Sequence, residues 1–202
     1  MAWAPRGACK GPESAPAMTV LFTADTHFGH AGALGLYHRP FASVAAMDAA
    51  LIEQWNRAVA PTDEIYHLGD FAMTSKPERI EALLSALHGR KHLITGNNDR
   101  AGALDARGWS TVAPYLELDA NGVLLVLCHY ALRTWRDMAK GALNLHGHSH
   151  GRLNPLPRQY DVGVDVWNYR PVALDVLVAR RRPPRSRSQT AGMPAPGRAA
   201  DD

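Results

Sequence analysis

Five short motifs bring together residue types that can do metal-assisted chemistry. They are Asp25-x-His27, Gly69-Asp70, Gly96-Asn97-Asn98-Asp99, Cys128-His129 and Gly147-His148-Ser149-His150. Asp, Asn and His supply oxygen and nitrogen ligands without thiolate, a donor set that suits Mn²⁺, Fe or Zn²⁺ in a mixed site. Paired cations ~3.5–4 Å apart need a carboxylate that can bridge them, and their chemistry is in-line displacement at phosphorus. Asp70 is the natural bridge, because it stands mid-sequence behind Gly69, where the backbone can approach closely. In the D-x-H and H-x-H pairs, an extended segment would turn residues i and i+2 to the same side, toward one site.

Each motif follows an apolar run, so each is expected on a loop at the carboxyl edge of a strand, where α/β sheets place ligands. Val20 to Phe22, Glu64 to His67 and His92 to Ile94 read as buried strands. Between them, Met47, Leu51, Ile52, Trp55 and Val59 share one helix face behind a Ser43 cap, and Ile80, Leu83, Leu84 and Leu87 share another behind Pro77. A β-α-β-α-β start predicts a largely parallel sheet with helices on its faces. Tyr115 to Asp119 and Val123 to Cys128 read as a hairpin turned by Asn121-Gly122. Ala142 to Leu145, Gln159 to Val164 and Val172 to Ala179 read as further strands, with one short helical stretch near Trp135 to Lys140. A second sheet packed on the first follows.

Composition sets the boundaries. Residues 1–17 and 181–202 are expected to be disordered, the second an Arg/Pro-rich tail, around one domain at 18–180. The chain is +3 overall, but the ends carry the excess: residues 18–179 net −2, as suits a cation site rather than a nucleic-acid groove. Cys9 and Cys128 form no disulfide framework or zinc motif, Met1 to Ala17 lacks the apolar stretch of a signal peptide, and no run reaches membrane-span length. A cytoplasmic protein with no membrane association is the expectation. Of the remaining candidates, Arg39 and Arg100 read as solvated surface residues before phosphate ligands. His67 and His146 read as core or supporting residues, and His38, His88 and His92 as surface or loop residues.

The motifs in this order resemble those of the calcineurin-like metallophosphoesterase family: D-x-H, G-D, G-N-H-[DE], a lone His after a strand, and G-H-x-H. Here they read DTH, GD, GNND, CHY and GHSH. DTHFGH, RPF, YHLGDF and GVDVW are similar to a small bacterial subfamily of uncharacterised phosphoesterases. The resemblance implies an α/β fold, a four-layered α/β/β/α sandwich of two mixed sheets flanked by helices. It implies one metal on Asp25, His27, Asp70 and His150, a second on Asp70, Asn97, His129 and His148, and attack on phosphorus by a hydroxide bridging the two ions. Mn²⁺ is the expected ion, with Fe or Zn²⁺ as alternatives, and the expected substrate is a phosphodiester or small phosphomonoester, nucleotide-like or otherwise small.

One position departs from the pattern. Asn98 stands where the family has a His that orients phosphate or protonates the leaving group, and an amide cannot serve as a general acid. This favours diesters or good leaving groups, with His30 as a substitute catalytic residue beside Asp70 and Asn98. Asp99 is expected to orient a nearby His. Two other readings stay open at this point: a non-catalytic scaffold that keeps the fold, and a nuclease tethered to nucleic acid by the basic tail.

Overall fold

The computed structural model describes residues 18–180 except 75 and 155. The expectations for residues 1–17 and for the tail at 181–202 lie outside the described residues.

Period-two alternation builds the core. In β1 (Val20–Thr23), Leu21 faces the helical layer and Phe22 the interior between the sheets, and in β2 (Glu64–His67) Ile65 and Tyr66 divide in the same way. The helical layer is α2 (Val44–Ala58), which follows the short α1 (Ala31–Leu36), and α3 (Pro77–Ala86). Ser43 caps α2 by accepting the Ala46 N–H at 3.2 Å, and Pro77 opens α3, where its missing N–H costs no helical bond. Met47, Leu51 and Trp55 of α2 and Ile80 and Leu84 of α3 bury their stripes against the sheet.

β3 (Arg90–Ile94), α4 (Ala101–Leu104) and β4 (Trp109–Ala113) complete the repeating part. β1 to β4 are parallel neighbours, and β9 (Val172–Ala173) pairs antiparallel with β1, giving the order β4-β3-β2-β1-β9. The second sheet has the order β5-β6-β7-β8, from β5 (Tyr115–Ala120), β6 (Val123–Cys128), β7 (Leu143–His146) and β8 (Gln159–Asp161). Its β5–β6 hairpin turns on Asn121 and Gly122 with φ of 54° and 72°, the left-handed pair a two-residue turn requires. Leu125, Leu127, Leu143 and Leu145 meet Phe22, Leu68 and Ile94 between the sheets. Outside the second sheet, the fourth layer is the segment carrying Trp135 and a single 3-10 turn at Met138–Lys140, packed on Val126. The fold is therefore the expected α/β class with two mixed sheets flanked by helices.

Three boundaries differ from the sequence reading. The stretch near Trp135 to Lys140 shortens to that 3-10 turn. β8 ends at Asp161, because its carboxylate accepts the Gly163 N–H at 2.8 Å and turns the chain out of the sheet. Most of Val172 to Ala179 is helix α5 (Leu174–Arg180), not strand. Leu174 and Leu177, three apart, are both buried beside the inter-sheet core while Val176 is 41% exposed, an arrangement a strand cannot give. His92 is also not at the surface: it is buried in β3, with its Nδ1 2.8 Å from the Thr111 hydroxyl. Among the described residues, no helix is long and apolar enough to cross a membrane.

Candidate metal centre

The motifs leave the carboxyl ends of β1, β2, β3, β6 and β7 and converge. The loops after β1 and β2 run side by side, with Asp25 N–H donating to Gly69 O at 2.9 Å, His27 N–H to Asp70 O at 3.0 Å and Phe28 N–H to Phe71 O at 2.9 Å. A Cβ on Gly69 would lie 2.5 Å from His129 Nδ1 and 2.6 Å from Gly96 Cα, so only glycine lets these loops close on one another.

The D-x-H and H-x-H segments are not extended. Asp25, His27, Asp70, His148 and His150 all have left-handed φ, between 48° and 63°. The paired side chains still reach one place, but turns aim them, at a backbone cost of about 1–3 kcal/mol per residue that the surrounding bonds must offset.

The ligand-type atoms of Asp25, His27 and His150 lie within 4.8 Å of one another, and so do those of Asp25, Asp70 and His129. Asp70 Oδ2 is 3.6 Å from His27 Nε2, and its Oδ1 is 3.7 Å from His129 Nε2. Asn97 joins through its Oδ1, 3.1 Å from His129 Nε2. His148 is more exposed, its ring 5.1 Å from that of His129, and its backbone N–H donates to Asp25 Oδ2 at 2.9 Å. Asn98 donates to Asp70 twice, from its backbone N–H at 2.8 Å and from its side-chain amide at 2.6 Å. His30 is half-buried, with its ring 5.3 Å from that of His27.

The surroundings set the ring orientations. His129 Nδ1 donates to Leu68 O at 2.7 Å, which leaves Nε2 facing the cluster. His150 Nδ1 donates to Asp165 Oδ2 at 2.7 Å, and the Tyr37 ring stacks on His150 with centroids 3.5 Å apart. Arg39 grips both Asp165 oxygens at 2.9 Å and donates to Asp25 O at 2.6 Å and Thr26 O at 2.8 Å.

Arg39 is therefore buried, 4% exposed, and not the solvated residue expected from the sequence. A guanidinium enters a core only with its charge paired, and Asp165 provides that partner from 126 residues away. Asp165, Tyr37 and Asp161 were not singled out by motif reasoning. The RPF and GVDVW segments hold two key members of this support, and a buried Arg in search of a carboxylate is the link between them. Asp99 also differs from expectation. It orients no His, and instead accepts the backbone N–H groups of Asp70, Phe71 and Gly96 at 2.8–2.9 Å, fixing the turn that carries Asp70. Arg100 is exposed, as expected.

Electrostatics favour a cation here. Burial, then Asp161 and Asp70, push the Asp25 carboxyl well above its ordinary range. Burial pulls His27 down to about 3, with Asp70 opposing and Arg39 adding to the drop. Among the described residues, Asp25 Oδ1 and both His27 ring nitrogens are buried without a hydrogen-bond partner. Buried polar atoms are normally satisfied, and unpaired carboxylate and imidazole atoms aimed at each other match the donor set of a divalent ion. The residues present fit such a group.

The supporting residues carry a pH prediction. The Thr26 hydroxyl donates to Phe71 O at 2.8 Å, so it accepts from His67 Nε2–H at 2.9 Å, leaving His67 Nδ1 bare. Burial, then the neighbouring His129 and His27, lower His67 from 6.5 to about 3. Below 6.5 the unfolded chain takes up this proton and the native one does not, so stability is full above that pH and falls toward 3. In chelator, His67→Phe should lose about 2 kcal/mol less than the parent between pH 7 and pH 5. Urea midpoints at the two pH values measure it, and equal losses would exclude His67 as the source.

Residues 18–160 match the sequence model of the calcineurin-like phosphoesterase superfamily domain. The chain belongs to that superfamily. The chain is 31% identical over 167 residues to an uncharacterized protein of Methanocaldococcus jannaschii, covering 79% of this chain and 89% of that one. It is 32% identical over 181 residues to the Gene 66 protein of Mycobacterium phage D29, covering 74% and 89%. A protein of unknown function from Aquifex aeolicus, AQ665, shares the fold, with a TM-score of 0.64 at 22% identity over 81% of this chain and 99% of that one. The phosphoesterase family is metal-dependent, and its members act on phosphoesters.

Proposed function

We propose that this phosphoesterase hydrolyses a small phosphodiester at a site for two divalent cations. The observations that carry the reading are two ligand groups that share Asp25, and the two oxygens of Asp70, a member of the second group, which face His27 and His129. Asp25, His27, Asp70 and His150 would hold one ion, and Asp70, Asn97, His129 and His148 the other, with Mn²⁺ suited to an oxygen- and nitrogen-rich donor set. When bound, the ions supply Lewis-acid charge for the phosphate oxygens and lower the pKa of a water nucleophile.

The chain does the positioning. Leu68 O and Asp165 fix which nitrogen of His129 and His150 faces inward. Asn98 offers amide donors beside Asp70 but no titratable proton, so a leaving oxygen that needs protonation gains nothing from it. His30 is half-buried, its Nδ1 is unpaired among the described residues, and its ring lies 5.3 Å from that of His27; its pKa is lowered by burial, then by Arg39. It suits the role of a neutral base or hydrogen-bond donor more than that of a standing acid. Ligand atoms gathered this closely argue for an enzyme over a scaffold.

The test is the Mn²⁺-dependent rate on bis-p-nitrophenyl phosphate beside p-nitrophenyl phosphate. The diester should be faster by about tenfold or more. Asn98→His should raise turnover of monoesters with poor leaving groups by about 10²-fold, the contribution of a placed general acid. Monoester preference in the parent would overturn the diester reading, and no gain in the variant would remove Asn98 from the account of specificity.

A further inference from the structure

A cavity of about 320 Å³ lies between α2 and α3, floored by Phe28, Ile52 and Leu83. Met73 and Thr74 form its rim and also line a second cavity of about 220 Å³, whose far wall is Asn98 and Arg100. The shared Met73 and Thr74 make the two spaces neighbours, and Asn98, which lines the second, is hydrogen-bonded to Asp70 of the metal cluster. Ligand pockets commonly measure about 300–1,000 Å³ and are apolar with a few placed polar groups.

Two charged groups break the apolar lining. Asp48 takes the Gly29 N–H on its two oxygens at 3.0 and 3.1 Å and keeps lone pairs for another donor. The Arg79 guanidinium, near enough to act on the Asp48 charge, has no hydrogen-bond partner among the described residues. An acceptor beside a donor, over an aromatic and aliphatic floor, matches a planar ring with an adjacent N–H and C=O. Gly29, with no atom within 4 Å of where its Cβ would stand, leaves the entrance open.

We propose that these neighbouring spaces bind a nucleotide-type ester, with Asn98 and Arg100 beside the phosphate and the base between α2 and α3. Its ring lies on Phe28, Ile52 and Leu83, and its amide edge meets Asp48 and Arg79. A base with an amide edge, such as guanine, fits better than adenine, which lacks the N–H and C=O pair. This inference rests on the phosphoesterase reading for its placement beside the reacting group.

The test compares the p-nitrophenyl esters of guanosine and adenosine 5′-monophosphate with methyl p-nitrophenyl phosphate. Wild-type protein should favour the guanosine ester over the methyl ester by at least about tenfold in kcat/KM, with the adenosine ester between them. Ala82→Trp, on the solvent-exposed side of α3 where Ala82 lines the cavity, should bring the guanosine-to-methyl ratio within about threefold. The ratio is unaffected by a general loss of metal or fold. No guanosine preference in the parent, or a ratio unchanged in Ala82→Trp, overturns the proposal. If the parent turns over none of the three esters with any divalent ion, the hydrolytic reading fails. Equilibrium dialysis of guanosine 5′-monophosphate then decides the pocket: binding weakened about tenfold or more in Ala82→Trp upholds it, and equal or absent binding overturns it.

Discussion

Asp70→Asn is expected to abolish ester hydrolysis and to weaken divalent-ion binding by about 10²–10⁴-fold. Asp70 is 2% exposed, and its two oxygens face His27 on one side and His129 on the other. Removing one partner of a buried charge pair costs about 3–5 kcal/mol, which corresponds to that loss in affinity. The same change should not harm the metal-free fold. Asp70 is one of the carboxylates that push Asp25 upward, so neutralising it relieves repulsion, while the amide that replaces its carboxylate keeps an oxygen for the Asn98 N–H. In chelator, the variant should therefore be within about 1 kcal/mol of the parent or more stable. With Mn²⁺ present the order should reverse, because only the parent gains binding energy. Thermal melts with and without metal, beside metal content by mass spectrometry, read both halves. A variant that retains stoichiometric metal and turnover would sink the shared role of Asp70.

Arg39→Met should be the most destabilising single substitution near the site, costing about 3–5 kcal/mol. Its side chain is fully buried, and its removal leaves the Asp165 carboxylate and the Asp25 and Thr26 carbonyls without their donor. For a domain of this size, that loss lowers Tm by on the order of 10 °C. Arg39→Lys should restore only part of it, since an ammonium cannot span both Asp165 oxygens and two carbonyls at once. Combining Arg39→Met with Asp165→Leu should cost less than the sum of the single changes, because no unpaired charge is left. Chemical denaturation of the four proteins completes the cycle. A loss below about 1 kcal/mol for Arg39→Met would place the ion pair among ordinary surface contacts.

The candidate site was legible in the sequence because its residues come from short motifs behind buried strands. The apolar runs around Phe22, Ile65 and Leu93 carry the strand signal, and the polar residues that end them mark where each strand meets solvent. The helix stripes of α2 and α3 were equally plain, since their period is a property of neighbouring residues. What was misread depends on distant partners. Val172 to Ala179 has strand-like composition, and only its packing beside the inter-sheet core selects the helix. Asp99 looks like a ligand-orienting acid, yet the N–H groups it binds belong partly to a loop 28 and 29 residues earlier.

By itself, then, the sequence determined the donor types, their order, the two-sheet α/β class and the absence of an acid at Asn98. Those follow from side-chain chemistry and local periodicity, which need no contact to be defined. Tertiary structure decided that left-handed turns rather than extended pairs aim Asp25, His27, His148 and His150. It also decided that Arg39 and Asp165 hold His150 from behind, and that a cavity between α2 and α3 shares Met73 and Thr74 with the space beside Asn98. The physical reason is separation along the chain: burial turns Arg39 from a solvated charge into a fixed one only when Asp165 arrives, and no window of sequence contains both.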